Sequence, residues 1–155
     1  MITITRNNYI KRRKQRLKPA QQFFQELIRL YRPFENQLNV QLNEHGLHRA
    51  QWTILYNLYH NGPSSNVEIS QYQSVEKPTI TRTVHQLEEA GYIERIPGKD
   101  RREKRMQLTQ AGIDVYEEAR KTIDRFEQSI MEGISEEKQL EMIELMNRIK
   151  ENMNR

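Results

Sequence analysis

Residues 77–112 have the sequence KPTITRTVHQLEEAGYIERIPGKDRREKRMQLTQAG, in which a helical pattern leads into a strongly basic turn. A proline is favoured in the first turn of a helix, and a glycine often follows the last turn. We therefore predict a helix that begins near Pro78 and runs to Gly91. At about 100° per residue, its apolar positions share one side, which is expected to face a core. They are Ile80, Val84 and Leu87.

The other side of this helix is polar and carries positive charge near its N-terminus. Such a face fits a DNA major groove, where an arginine can form two hydrogen bonds to guanine and the helix dipole favours phosphate. The alternative for this face, taken alone, is an ordinary solvated surface. We select six residues as candidate DNA contacts: Lys77, Pro78, Thr79, Thr81, Arg82 and His85.

The segments YIERI (92–96) and RMQL (105–108) each alternate apolar and polar residues, which predicts the paired strands of a hairpin. The charged segment PGKDRREKR, residues 97–105, would then form the hairpin tip. Like charges crowded on a turn repel one another, and DNA phosphates would relieve that repulsion while counterions are released. An arginine at such a tip can enter the adjacent minor groove.

We predict that the tip contacts DNA through five residues: Lys99, Asp100, Arg101, Arg102 and Lys104. Asp100 is included because an acid among arginines can hold one guanidinium in place through a charge-assisted pair. Arg105 adds a further positive charge to the same cluster, and we expect it to act with the others.

Another helix precedes the polar one. Ser65 and Glu68 have the spacing of a capping box, which predicts a helix over about residues 66–72. The connection QSVEK, residues 73–77, is long enough only to turn the chain sharply, and this is helix-turn-helix spacing. Glu76 stands at the expected N-cap of the polar helix, where a serine would cap more strongly.

Helical patterns also flank this unit. On the N-terminal side, an apolar stripe starts at Pro19 and ends near residue 45, with a kink expected at Pro33. It is followed by a short, buried helix whose apolar stripe is Trp52, Leu55, Tyr56 and Tyr59 and which stops at Gly62.

On the C-terminal side, Thr109 is the predicted N-cap of a long helix that ends near Gly133. Ser135 is the predicted cap of a last helix. The expected order is therefore four helices, the hairpin and two more helices.

Charge is distributed unevenly along the chain, although the whole carries +4. Residues 1–18 have seven Lys or Arg and no acid, whereas residues 111–155 have seven basic and eleven acidic side chains. Only part of the protein is therefore expected to face a polyanion, either nucleic acid or a membrane surface. No apolar run is long enough to cross a bilayer and no secretory signal is evident, so we expect a cytoplasmic protein.

The residue types present exclude several kinds of site. The chain has no cysteine, which rules out disulfides, thiolate metal ligands and thiol-based redox sensing. No Gly-rich phosphate loop, nucleophile elbow or helical histidine pair around an acid occurs, so we expect neither an enzyme nor a cofactor. His45 and His48 could bind a metal in principle, but no acidic partner pattern accompanies them and we predict no metal site.

Residues 66–112 resemble the recognition helix and wing of the MarR family of bacterial transcription regulators. The family's Thr-x-Thr-Arg helix face is matched by Thr79, Thr81 and Arg82, and its Leu-Glu-x-x-Gly turn by Leu87, Glu88 and Gly91. Its wing motif Asp-x-Arg is matched by Asp100 and Arg102, and Leu-Thr-x-x-Gly by Leu108, Thr109 and Gly112. The order of helices agrees with the family over residues 20–153.

The resemblance implies a mainly α protein with a small β-hairpin wing (α+β), a winged helix-turn-helix with N- and C-terminal dimerisation helices. Residues 1–18 would be a basic arm and residues 19–155 a single MarR-type domain. In that domain the DNA-binding lobe covers about residues 47–110, between dimerisation helices at about 19–45 and 110–153. The implied function is a homodimeric transcriptional regulator, expected to be a repressor, on a pseudo-palindromic operator in double-stranded DNA.

Several alternatives stay open. The apolar stripes of the terminal helices could form the core of one chain instead of a dimer interface. The alternative function is a winged helix that binds protein and not DNA. Members of the family often have a small-molecule pocket; Trp52, Tyr56 and Tyr31 are candidates for its lining, although helical spacing favours a core role and the effector is unknown. The basic arm is longer than the family pattern suggests.

Overall fold

The computed structural model describes residues 17–73, 76–98 and 103–155. Within these residues, the helices are α1 (Pro19–Asn43), α2 (Arg49–Asn61), α3 (Asn66–Gln73), α4 (Lys77–Glu89), α5 (Gln110–Ile130) and α6 (Glu136–Met153). The strands are β1 (Ser64–Ser65), β2 (Ile93–Pro97) and β3 (Lys104–Leu108). This order confirms a mainly α fold in which two strands of a small antiparallel sheet follow the two helices of a helix-turn-helix.

Helix α2 lies at the centre of the fold and packs against α1, α3, α4, α5 and β3. Because it has neighbours on several sides, its buried surface is wider than one helical stripe. Ile54 and Leu58 are buried although the predicted stripe omitted them. Tyr59, which the stripe included, is 41% exposed, so that part of the prediction was wrong.

The capping box at the start of α3 is confirmed. The backbone N–H of Ser65 donates to Oε2 of Glu68 at 2.7 Å, and the backbone N–H of Glu68 donates to Oγ of Ser65 at 3.3 Å. These two bonds satisfy donors that the first turn of a helix leaves without intrahelical partners. They fix where α3 begins and so where the turn before α4 must lie.

The wing strands β2 and β3 pair as predicted, with Ile93 opposite Leu108 and Pro97 opposite Lys104. A third strand, β1, was not predicted. Its two residues pair with β3, Ser64 opposite Met106 and Ser65 opposite Arg105, giving the sheet order β1-β3-β2. Two residues are too few to show alternation, so this strand carries no sequence signal.

Helices α1 and α5 pack against each other and against α2. Helix α1 continues through Pro33, and the rings of Phe34 and Phe126 stack with centroids 5.9 Å apart. Thr109 caps α5 as predicted, since its Oγ1 accepts from the backbone N–H of Gly112 at 3.1 Å. Tyr116, Ile123 and Phe126 of α5 are buried in the core of the chain.

Helix α6 differs from the other long helices because none of its residues is buried. No other helix or strand in the described part of the chain packs extensively against it. Most of its apolar side chains are exposed, and so are those of the N-terminal half of α1. The exposed apolar residues include Phe23, Phe24, Leu27, Ile28 and Leu30 on α1, and Leu140, Met142, Ile143, Leu145 and Met146 on α6.

Candidate nucleic-acid interface

The candidate recognition helix α4 has one buried and one exposed face, as its sequence predicts. Ile80, Val84 and Leu87 are at most 2% exposed and anchor the helix on the core. Pro78 lies in the first turn, and the N-cap residue Glu76 makes no capping bond with its side chain. The anchoring therefore comes from the buried face, which leaves the outer face available to solvent.

The outer face of α4 forms a shallow, open concavity of about 790 Å³. It is lined by Lys77, Pro78, Thr81, Arg82, His85 and Gln86. Lys77 and Arg82 are exposed, and neither forms an ion pair with an acid in the described part of the chain. With the positive end of the helix dipole beside Lys77, the face carries uncompensated positive charge.

The threonines of α4 are used in different ways. Thr81 is exposed, and its Oγ1 donates to the backbone carbonyl of Lys77 at 3.0 Å, which leaves its methyl group and oxygen lone pairs on the outer face. Thr79 is exposed in the first turn. Thr83 is buried and bonds the carbonyl of Thr79 at 3.0 Å, so it belongs to the inner face.

His85 lies one turn further along the outer face. Its Nδ1 is 3.3 Å from Oε2 of Glu89, and both side chains are more than half exposed. When His85 is protonated, this pair offsets part of its charge, so His85 is a weaker phosphate ligand than Lys77 or Arg82.

Of the five predicted DNA contacts in the wing, Lys104 is the one that lies among the described residues. Lys104 is exposed at the start of β3, opposite Pro97. Beside it, the backbone N–H of Gly98 donates to the carbonyl of Glu103 at 2.9 Å and continues the hairpin by one bond. Lys99, Asp100, Arg101 and Arg102 lie outside the described residues.

Arg105 does not belong with the outward-facing cations, contrary to the sequence expectation. Its Nη2 donates to the backbone carbonyl of Pro63 at 2.6 Å and lies 3.0 Å from Oε2 of Glu68. Its Nη1 also lies 3.3 Å from Oε1 of Glu103. The side chain is 20% exposed, so these acceptors surround it within the protein.

Arg95 of β2 is a functional candidate that no sequence pattern indicated. Its Nε and Nη2 donate to the two carboxylate oxygens of Glu88 at 2.6 and 2.7 Å, a bidentate pair between the wing and the end of α4. This hydrogen bonding raises the pKa of Arg95. It also neutralises Glu88, which would otherwise repel phosphate near the recognition helix.

The Leu-Thr-x-x-Gly segment joins the wing to α5. The Thr109 hydroxyl donates to the carbonyl of Gly91 at 2.6 Å, and its backbone N–H donates to the carbonyl of Tyr92 at 3.0 Å. At Gly112, a Cβ would stand 1.9 Å from that same Tyr92 carbonyl oxygen. Only glycine permits this approach, so the base of the wing is held tightly against the first turn of α5.

The remaining candidates from the sequence are the histidines, for a metal site, and three aromatic residues, for an effector pocket. The ring Nε2 of His45 lies 2.9 Å from Oγ1 of Thr122, and the described residues contain no group of side chains suited to a metal ion. Trp52 is buried and stacks on Tyr116 with centroids 4.8 Å apart, which is a core role. Tyr56 is half-buried and Tyr31 exposed.

In residues 17–73, 76–98 and 103–155, no helix has the length and apolar content needed to cross a membrane.

Comparisons with known proteins agree with this geometry. The model of the MarR family matches residues 47–104, from the end of the α1–α2 loop to the start of β3. The HTH-type transcriptional regulator YwoH of Bacillus subtilis is 40% identical over 99 residues, which cover 64% of this chain and 72% of YwoH. The chain belongs to the MarR family. MarR-family proteins are transcription regulators and not enzymes, so the chain is a DNA-binding transcription regulator.

Two solved MarR structures are similar to this chain over most of its length. A MarR of Staphylococcus aureus, solved with salicylate and kanamycin, is 31% identical, with a TM-score of 0.78 over 86% of this chain and 91% of that one. A mutant of Escherichia coli MarR, solved with operator DNA, is 21% identical, with a TM-score of 0.72 over 80% of this chain and 91% of that one. The second likeness shows the shared fold alone.

Proposed function

We propose that the protein is a repressor that binds a pseudo-palindromic operator as a homodimer and is released by a small-molecule effector. In this proposal the lobe of about residues 47–110 binds DNA, and helices at about 19–45 and 110–153 form the dimer. We place its action in the cytoplasm, where bacterial DNA lies. The DNA contacts are the residues selected from the sequence: Lys77, Pro78, Thr79, Thr81, Arg82, His85, Lys99, Asp100, Arg101, Arg102 and Lys104.

The observation that carries this proposal is the exposed, cationic outer face of α4. Lys77 and Arg82 lie opposite a buried apolar face, without an acidic partner in the described chain. A helix presented in this way can enter the major groove, with Arg82 towards base edges and Lys77 towards phosphate. A protein-binding surface would gain little from two unpaired charges that must be desolvated.

The exposed apolar side chains of α1 and α6 support the dimer. Leu140, Ile143 and Leu145 are each more than half exposed on α6, and Ile28 and Leu30 are on α1. Exposed apolar surface of this extent is unusual on a monomer, and a second copy would remove it from water. A dyad between two copies would also set two α4 helices on one DNA face, about 34 Å apart for successive major grooves.

A salt series on duplex DNA tests the proposal. Genomic fragments selected by the protein supply the operator, and its affinity is measured by fluorescence anisotropy from about 50 to 200 mM salt. A dimer that makes 6–10 phosphate contacts is expected to lose about three to five orders of magnitude in affinity over that range. A flat response would contradict DNA binding and favour the alternative, a winged helix that binds a protein.

The effector is tested on the same complex. Salicylate is the first probe, because the 31% identical S. aureus MarR was solved with it. A released operator at raised salicylate would support regulation by a small aromatic acid. An operator complex that withstands both salicylate and a broader set of aromatic compounds would remove the effector from the proposal.

A further inference from the structure

Arg105 joins three parts of the DNA-binding lobe at the root of the wing. It belongs to β3, and its guanidinium bonds the carbonyl of Pro63, just before β1, and the carboxylate of Glu68 in the first turn of α3. The backbone repeats this connection, because Ser65 pairs with Arg105 in the sheet. The side chain and the backbone of Arg105 thus both hold the wing against the start of the helix-turn-helix.

The Arg105 guanidinium is poorly placed to contact DNA itself. Its side chain is 20% exposed, and both terminal nitrogens have oxygen acceptors within 3.4 Å in the protein. Moving the guanidinium to a phosphate would leave the Pro63 carbonyl and Glu68 without this donor. Its role is therefore within the fold.

Glu68 serves two neighbours at once. One oxygen accepts from the backbone N–H of Ser65 in the capping box, and the carboxylate also faces Arg105. The hydrogen bond from Ser65 is the main cause of the lowered pKa of Glu68, and Arg105 lowers it further. The start of α3 and the root of the wing thus share one carboxylate.

We propose that Arg105 is a positioning residue that sets how the wing tip meets DNA, through its bonds to Pro63 and Glu68. Only one further strand pair, Pro97 with Lys104, separates Arg105 from the tip, so a change at the root is passed directly to it. On the other strand, the Arg95–Glu88 pair ties β2 to α4. The inference rests on the proposed wing contact with DNA, since a wing that touches nothing needs no positioning.

A double-mutant cycle tests this role. Arg102→Ala is made in the wild-type and in the Arg105→Met backgrounds, and the operator Kd is measured in both. In the wild type, removing one charge-assisted contact is expected to raise Kd about tenfold and to make the salt slope shallower by about 1. In the Arg105→Met background, we expect Arg102→Ala to raise Kd by less than about twofold, because the tip is no longer held on the DNA.

Arg120→Met is the matched control. Arg120 is also part-buried, with 26% of its side chain exposed, and pairs with Asp124 and Glu127 within α5. The same change there should leave the tenfold effect of Arg102→Ala intact. Glu68→Gln is a second route to the same loss, because glutamine can still close the capping box while it no longer carries a charge for Arg105. Thermal unfolding shows whether each variant is folded. If Arg105→Met is not folded, Glu68→Gln takes its place in the cycle.

The possible failures are distinguishable. If Arg102→Ala raises Kd equally in the wild-type, Arg105→Met and Glu68→Gln backgrounds, the wing contacts DNA but Arg105 does not position it, and the inference is overturned. If Arg102→Ala has no effect in the wild type, the proposed wing contact is wrong and the inference falls with it. Arg105→Lys keeps the positive charge but cannot reach Pro63 and Glu68 with a planar guanidinium. If this variant partly restores the effect of Arg102→Ala on Kd, the result supports Arg105 as a positioning residue.

Discussion

Helix α4 and the root of the wing each carry basic side chains, and they use them in opposite ways. On α4, Lys77 and Arg82 are exposed and have no acidic partner in the described chain. On the wing, Arg95 and Arg105 are bound by Glu88 and Glu68. The first pair is available to an external polyanion, whereas the second pair holds the sheet on the two helices.

The difference shows that a count of basic residues does not locate a DNA-binding surface. What matters is whether the protein already supplies an acceptor for each cation. The Arg95–Glu88 pair also neutralises an acid at the end of α4 that would otherwise repel phosphate. The following changes separate the two roles.

The largest effect is expected from a change that prevents dimer formation, because it weakens the DNA contacts of α4 and of the wing together. Ile143→Asp places a charge in the exposed apolar surface of α6 and should prevent association, since an unpaired charge in an interface must be desolvated. A monomer holds one half-site, and the loss of the second contact should weaken operator binding about a hundredfold or more. Sedimentation and anisotropy measure both consequences.

Asn152→Asp is the matched control for that change, because it introduces the same residue on the same helix, at an exposed position. It should leave the dimer and the operator affinity unchanged. A dimeric Ile143→Asp protein would place the second copy on another surface.

The next effect separates an unpaired arginine from the paired ones. Arg82→Ala should cost about 1–3 kcal/mol of operator binding and relax discrimination at one base step, because a bidentate contact to a base edge is lost. Thermal unfolding should not change, since Arg82 is exposed and makes no ion pair in the described chain. Equal weakening on all sequences would instead make Arg82 a phosphate contact.

Arg95→Met is expected to show the reverse pattern at a smaller scale. The Arg95–Glu88 pair is exposed to solvent on the arginine side, so its loss should lower the free energy of unfolding by about 1 kcal/mol or less. Operator discrimination should be kept. A variant of unchanged stability that loses discrimination would mean that Arg95 itself reaches the bases, and the division between the two regions would fail.

The smallest expected effect is a pH dependence at the root of the wing. Because the folded pKa of Glu68 lies below its ordinary value of 4.5, the carboxylate stabilises the fold above that pH. This contribution is lost as the pH falls from 4.5 through the lower folded pKa. Chemical unfolding at several acid pH values should show a steeper loss in the wild type than in Glu68→Gln, and parallel curves would exclude this carboxylate.

Much of the fold could be predicted from local sequence patterns. Ser65 and Glu68 signal a capping box within four residues, Thr109 signals an N-cap, and the alternation on each side of the basic turn signals a hairpin; all three are confirmed. Each of these features depends on residues close together in the chain. For the same reason, the three apolar residues of the inner face of α4 were predicted correctly.

Features that depend on distant partners could not be predicted. Arg105 looked like one more cation of the wing, because nothing local shows that Pro63 and Glu68 will surround its guanidinium. The burial of Ile54 and Leu58 depends on how many elements pack around α2. The DNA contacts at residues 99–102 stay predictions from the sequence.

Tethered cleavage of DNA tests the central claim, that α4 presents its outer face to the duplex. The chain has no cysteine, so Gln86→Cys gives one attachment point for an iron–EDTA reagent on that face, and Lys121→Cys gives a control on the exposed side of α5. If α4 enters the major groove, position 86 is expected to give strand cuts in both operator half-sites, about one helical turn apart. Position 121 should give none. Bound protein that cuts from position 121 but not from position 86 would show that α5, and not the outer face of α4, lies against the duplex.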